Sequence, residues 1–173
     1  VEELMKSVQE LESGMPSNHR WARIFGLVAL FHVAVAAAWT GLTAIPDLNI
    51  PRIIAGGSAG MWYTTAYFMY IIAGAVGMTA FAAMYYVAGG NVNNTLGKLH
   101  LLISNVGIAG AAYVLGYAGY NAGYMQHVLQ TPTEEIHQFL APFAEPLGVL
   151  ILIATLGVLV GVVSLVLAFR RRS

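Results

Sequence analysis

Apolar residues dominate four long stretches of the chain, and the polar residues gather between them. The stretches run from about Trp21 to Ile45, Gly60 to Ala88, Leu96 to His127 and Leu140 to Phe169. Each exceeds the roughly 20 mostly apolar residues that a transmembrane helix needs. The runs are continuous and do not alternate, which excludes the two-residue period of a membrane β-barrel. Backbone groups in lipid must be paired within their own segment, so the stretches predict α-helices. The third is longer than the hydrocarbon requires and is expected to tilt or protrude. Residues 1–16 follow another rule. Val1, Leu4, Val8 and Leu11 recur at helical spacing among Glu2, Glu3, Lys6, Glu10 and Glu12, and Ser13-Gly14 and Pro16 close the segment. This predicts a short amphipathic helix at the membrane surface or on a partner. It is no signal peptide, having neither a basic start nor an apolar core. Ser17 or Asn18 is a candidate cap for the first span. The expected organisation is an interfacial helix over 1–16 and an all-α, four-helix transmembrane domain over 17–173.

Charge sets the orientation. Lys6, Arg20 and Arg23 precede the first span, Lys98 lies between the second and third, and Arg170, Arg171 and Arg172 follow the fourth. The other two loops carry Asp47 with Arg52, and Glu134 with Glu135. By the positive-inside rule both termini are cytoplasmic. Trp21, Trp39 and Trp62 fall near span ends, as interfacial anchors do. Eight Lys and Arg balance eight Asp and Glu, so there is no basic excess for a nucleic acid backbone. The absence of cysteine excludes disulfides, thiolate nucleophiles, iron–sulfur clusters and Cys-ligated zinc within the chain.

Small residues mark where helices can approach. Ala112, Gly116, Gly119 and Gly123 form a groove along the third span; Gly157 with Gly161, and Ala37 with Gly41, make small-xxx-small pairs on the fourth and first. Tyr113, Tyr117, Tyr120 and Tyr124 run beside the glycine groove. Four phenols in a row pack against neighbouring helices, line a channel, stack on a cofactor or relay electrons; Asn105 and Asn121 are candidate partners for their hydroxyls. His32, near the middle of the first span, is an intramembrane ionisable group and therefore a functional candidate. It is either a hydrogen-bonded core histidine or a haem ligand, with Met69 as a conceivable second axial residue. His100 lies at the inner end of the third span, and His19 is expected at the surface. His127 and His137 are a candidate metal pair, but they lack a third ligand. Glu145 is the one acid expected to be partly buried. No phosphate-binding loop, intramembrane carboxylate pair or Ser–His–Asp arrangement is visible, so no catalytic residue is assigned.

The run Trp62-Tyr63-Thr64-Thr65-Ala66-Tyr67-Phe68-Met69-Tyr70, continuing to Thr79-Ala80 and Met84-Tyr85-Tyr86, resembles the tenth transmembrane helix of haem–copper oxidase subunit I in its B-type version. The first span, Ile50-Pro51-Arg52 and Gly56-Gly57 look like the ninth helix and its exit. Leu96-Gly97-Lys98 through Gly116-Tyr117-Ala118-Gly119 resembles the eleventh, and Thr131-Pro132 with the last span resembles the twelfth. The resemblance covers roughly residues 20 to 170 in order. The family's tenth helix carries His-Phe-His, whose histidines ligate the two haems; the matching positions here are Tyr67-Phe68-Met69. The family's Arg-Arg pair after the eleventh helix is not visible around Gln126 to Gln130. The copper ligands lie on earlier helices, outside the matched region.

The resemblance implies a non-catalytic membrane subunit of a respiratory terminal oxidase or related electron-transfer complex, packed against a catalytic subunit in a prokaryotic plasma membrane. Its partners would be other membrane subunits and the bilayer, with no cofactor bound by this chain alone. The alternative is a cytochrome-like subunit that holds a haem through His32 with Tyr67 or Met69, or a quinone bordered by the tyrosine stripe, or the C-terminal piece of a split subunit I. A transporter or channel component is a third reading, which predicts buried charges that the spans lack.

Overall fold

The computed structural model describes residues 19–171, and all regular structure among them is helical. The amphipathic segment 1–16 and its candidate cap lie outside the described residues. Helix α1 (Arg20–Thr43) crosses first. A short helix α2 (Ile50–Ala55) follows, and then α3 (Gly60–Met69), a π-helical stretch (Tyr70–Val76) and α4 (Gly77–Ala88), which run on as one span. Helix α5 (Asn94–His127) is the third crossing. The short helix α6 (Thr133–Leu140) leads into α7 (Ala144–Arg170), the fourth. Four segments are thus long and apolar enough to cross a membrane: Arg20–Leu42, Gly60–Asn91, Asn94–His127 and Thr133–Arg170.

The boundaries have local causes. Gly89, at φ +64°, ends α4 in a backbone conformation that glycine adopts without steric cost. Asn93 starts α5, its side-chain oxygen accepting from the N–H groups of Thr95 and Leu96 at 2.9 and 3.2 Å. Two helices were not expected from the apolar pattern. Helix α2 forms because Pro51 sits in its first turn, where a missing N–H costs nothing, and Ile50 and Ile53 are buried. Helix α6 has Glu134 and Glu135 in its first turn, facing the positive end of the helix dipole. It seats Ile136 with Ala59 and Ala122, while Phe139 and Leu140 pack around them.

Span-to-span packing follows the small residues. A Cβ on Gly107 would stand 2.2 Å from the Ala154 backbone nitrogen, and one on Gly157 would stand 2.3 Å from that of Ser104. Helices α5 and α7 therefore touch backbone to backbone. Gly119 meets the Tyr63 and Trp62 backbone of α3 in the same way, and Gly123 meets Ile53 and Gly60. Gly116 faces the Trp39 ring, and Gly161 lies under the His100 ring. Ala37 and Gly41 instead face outward: both are exposed, and nothing lies within 4 Å of a Cβ on Gly41. Trp21 is also not a lipid-facing anchor. It is 6 % exposed, lies against Gly97 and donates from Nε1 to Asn94 Oδ1 at 3.0 Å.

Candidate functional site

His32 lies twelve residues into α1, about 18 Å along a helix of 24 residues, and so at mid-span. It is 2 % exposed. Its Nε2 is 2.7 Å from Asn105 Oδ1 on α5, and its Nδ1 is 2.8 Å from the Tyr70 hydroxyl on the second span. Asn105 in turn donates from Nδ2 to the Leu101 carbonyl at 2.6 Å, which leaves its Oδ1 to accept. Nε2 therefore donates to Asn105 Oδ1, and Nδ1 pairs with the Tyr70 hydroxyl. Both ring nitrogens are engaged, and the imidazole is a bridge joining three spans at the depth where lipid offers no hydrogen bond.

The π-helical stretch serves this bridge. In an α-helix each step of four residues overshoots a full turn by about 40°, so Tyr70, Gly74 and Met78 would drift around the axis. The wider π turns take up the overshoot, and all three are buried on the bundle side. Gly74 makes room for the imidazole, since a Cβ there would stand 2.9 Å from Nδ1.

A second polar layer lies nearer the Trp21 end. The fully buried His100 has Nδ1 2.9 Å from the Tyr85 hydroxyl. Phe25 and Phe81 flank its ring at centroid distances of 4.7 and 4.2 Å. Its Nε2 has no partner. Ser164 of α7 approaches Tyr85 without a well-formed hydrogen bond to its Oγ. A third layer lies toward the opposite end. Trp39 donates from Nε1 to the Tyr63 hydroxyl at 2.5 Å, and the hydroxyls of Thr40 and Tyr67 are 2.6 Å apart.

The chain matches no protein-family model, no curated protein and no solved structure.

The three candidate cofactor ligands do not converge. His32 is held by Tyr70 and Asn105, and Tyr67 bonds Thr40 beside Trp39. Met69, two residues on and so turned to another side of the helix, lines an outward groove with Ile54 and Phe68. These donors do not fit a haem gripped by this chain. The tyrosine stripe divides. Tyr113 and Tyr117 are 70 % and 48 % exposed and stack on each other, while Tyr120 packs on Tyr63 and Tyr124. Asn105 turns to His32, and Asn121 donates to the Tyr117 backbone carbonyl at 2.8 Å, so neither serves a tyrosine hydroxyl.

The remaining candidates scatter. The His127 ring lies over Gly56, with Nε2 3.5 Å from the Gly57 carbonyl, while His137 lines a separate pocket with Ser58, Trp62 and Gln126. Among the described residues no three metal-ligating side chains cluster. Glu145 is exposed, and His19 is half-buried, stacked on Tyr86 with centroids 4.4 Å apart. Sequence reasoning missed Tyr70 as the partner of His32 and Tyr85 as that of His100. The one available signal was Gly74, a glycine opposite a mid-span histidine.

Proposed function

We propose that this chain is a non-catalytic integral membrane subunit of a haem–copper-type terminal oxidase, or of a related electron-transfer complex, and packs against the catalytic subunit. The observation that carries the reading is the engagement of both His32 nitrogens by Tyr70 and Asn105. The mid-span imidazole, the residue best suited to hold iron, ties helices together instead. The resemblance of Trp62 to Tyr86 to the tenth oxidase helix, in which Tyr67 and Met69 occupy the histidine positions, supports the same reading from the sequence. Exposed apolar and aromatic side chains on α5, among them Leu102, Val106, Tyr113 and Tyr117, supply a face for a neighbouring membrane subunit. In this reading both termini are cytoplasmic, the membrane is a prokaryotic plasma membrane and residues 1–16 lie at its surface.

The test is photo-cross-linking from a benzophenone amino acid placed at position 113 in native membranes, followed by mass spectrometry. Cross-links to a haem-bearing oxidase or cytochrome subunit are expected. Cross-links to unrelated membrane proteins, or to lipid alone with the chain purifying by itself, overturn the reading.

A further inference from the structure

One exposed residue per turn runs along the outer face of α5: Leu99, Leu102, Val106, Ala109, Tyr113 and Tyr117. Tyr117 stands eighteen residues after Leu99, about 27 Å along the axis and close to the full depth of a roughly 30 Å hydrocarbon core. A stripe one residue wide and one membrane long has the dimensions of a contact with a single transmembrane helix. Other faces of α5 are taken up within the chain, where Gly107 and Gly110 press on α7 and Gly119 presses on α3.

Tyr113 sets what that helix must carry. It is 70 % exposed; its ring stacks on Tyr117, and its hydroxyl has no hydrogen-bond partner among the described residues. Asn105 shares the mid-span level of His32. Tyr113 lies eight residues further along α5, about 12 Å from that level and inside a half-core of about 15 Å. A helical side chain leans toward the N-terminus of its own helix. In α5 that lean carries the phenol back toward mid-span, away from the nearer head groups. Threonines of the spans meet the same difficulty alone: Thr40, Thr79 and Thr155 each return the hydroxyl to the carbonyl one turn back. A phenol is too long for that bond, and against lipid tails its hydroxyl loses water and gains no partner. Tyr117, about 18 Å from the His32 level, stands at the edge of the core within reach of water. The group that answers Tyr113 is uncharged, because α5 has no Asp, Glu, Lys or Arg beyond Lys98 with which a buried charge could pair. Resting on the reading above that the neighbour is a catalytic subunit, we infer that this stripe seats one transmembrane helix of that subunit, and that the helix presents an uncharged hydrogen-bonding side chain, a carboxamide or a hydroxyl, to the Tyr113 hydroxyl.

The test has two parts. In native membranes, a benzophenone amino acid in place of Leu102, Val106 or Ala109 should cross-link to one and the same transmembrane segment of the partner. In mixed micelles, Tyr113→Phe should weaken association with the cross-linked protein about fivefold, and Tyr117→Phe by less than about twofold. Neither change should alter the unfolding of the isolated chain, since both side chains are exposed. Leucine in place of the partner's polar residue opposite Tyr113 should match Tyr113→Phe, and the two changes together should weaken association no further. The seat is refuted if the cross-links scatter over several segments or reach lipid alone, if the segment has no polar side chain opposite Tyr113, or if Tyr113→Phe associates as tightly as the parent. A haem-bearing partner without a Tyr113 effect overturns the seat and leaves the oxidase reading standing. A single segment with the full Tyr113 effect on a protein without haem keeps the seat and overturns the oxidase reading.

Discussion

Replacing Gly107 by alanine tests the packing that holds the last two crossings together. Its new methyl would lie 2.2 Å from the Ala154 nitrogen and 2.5 Å from the Ala154 Cα, where ordinary contact begins at 3.4 Å. The obstacle is backbone, which cannot rotate aside, so α5 and α7 must separate locally by about 1.2 Å. A gap of 0.5–1 Å already forfeits about a quarter to a half of a dispersion contact. The loss spreads over the neighbouring rungs Ser104–Gly157 and His100–Gly161. Overpacking of this kind costs about 1–3 kcal/mol, and an unyielding obstacle puts Gly107→Ala at about 2–3 kcal/mol. Gly157→Ala, whose methyl would meet the Ser104 nitrogen at 2.3 Å, should cost about the same. Because one separation of the helices relieves both clashes, the double variant should cost clearly less than the sum. Reversible unfolding of the purified protein in mixed micelles, followed by tryptophan fluorescence, measures all three. A Gly107→Ala change smaller than about 0.5 kcal/mol, or strict additivity of the pair, refutes the reasoning.

Further outcomes follow from the polar layers and the short helices. Asn105→Leu should destabilise by about 1–3 kcal/mol, because the buried His32 N–H loses its acceptor, and combining it with His32→Phe should recover part of that loss in the same unfolding assay. Tyr85→Phe should cost about 1 kcal/mol by leaving His100 with neither nitrogen paired; equal stability of variant and parent would show that a water molecule replaces the phenol. Ile136→Asp should undock α6 and raise amide exchange over 133–140 while exchange in the four crossings stays unchanged, which mass-detected hydrogen exchange resolves.

The crossings were legible because length and hydropathy alone decide them: expected boundaries near 21–45, 60–88 and 96–127 match α1, the second span and α5 to within about three residues. The fourth, expected from about Leu140, begins as α7 at Ala144, and the short helix α6 ahead of it was not legible, because Glu134, Glu135 and His137 disguise it as a loop although Ile136, Phe139 and Leu140 share its buried side. Glycines showed where backbones can meet without showing which backbone answers. Gly107 and Gly157 each face the other helix, whereas Gly41, with the same spacing signal, faces outward. The histidine bridges were illegible for the same reason. A nearly uniform apolar helix does not reveal its rotation about its own axis, so Tyr70 and Asn105 could not be matched to His32. The π-helical stretch that turns Tyr70 inward has no marker in the residues 70–76. Asn105 consequently seemed available to the tyrosine stripe, although it belongs to the histidine.

The account rests on His32 serving as a bridge between helices. Its most direct test is the visible spectrum of the isolated chain after incubation with haem. The account predicts no Soret band that His32→Leu, Tyr67→Phe or Met69→Leu alters. A stoichiometric haem band abolished by His32→Leu would contradict it.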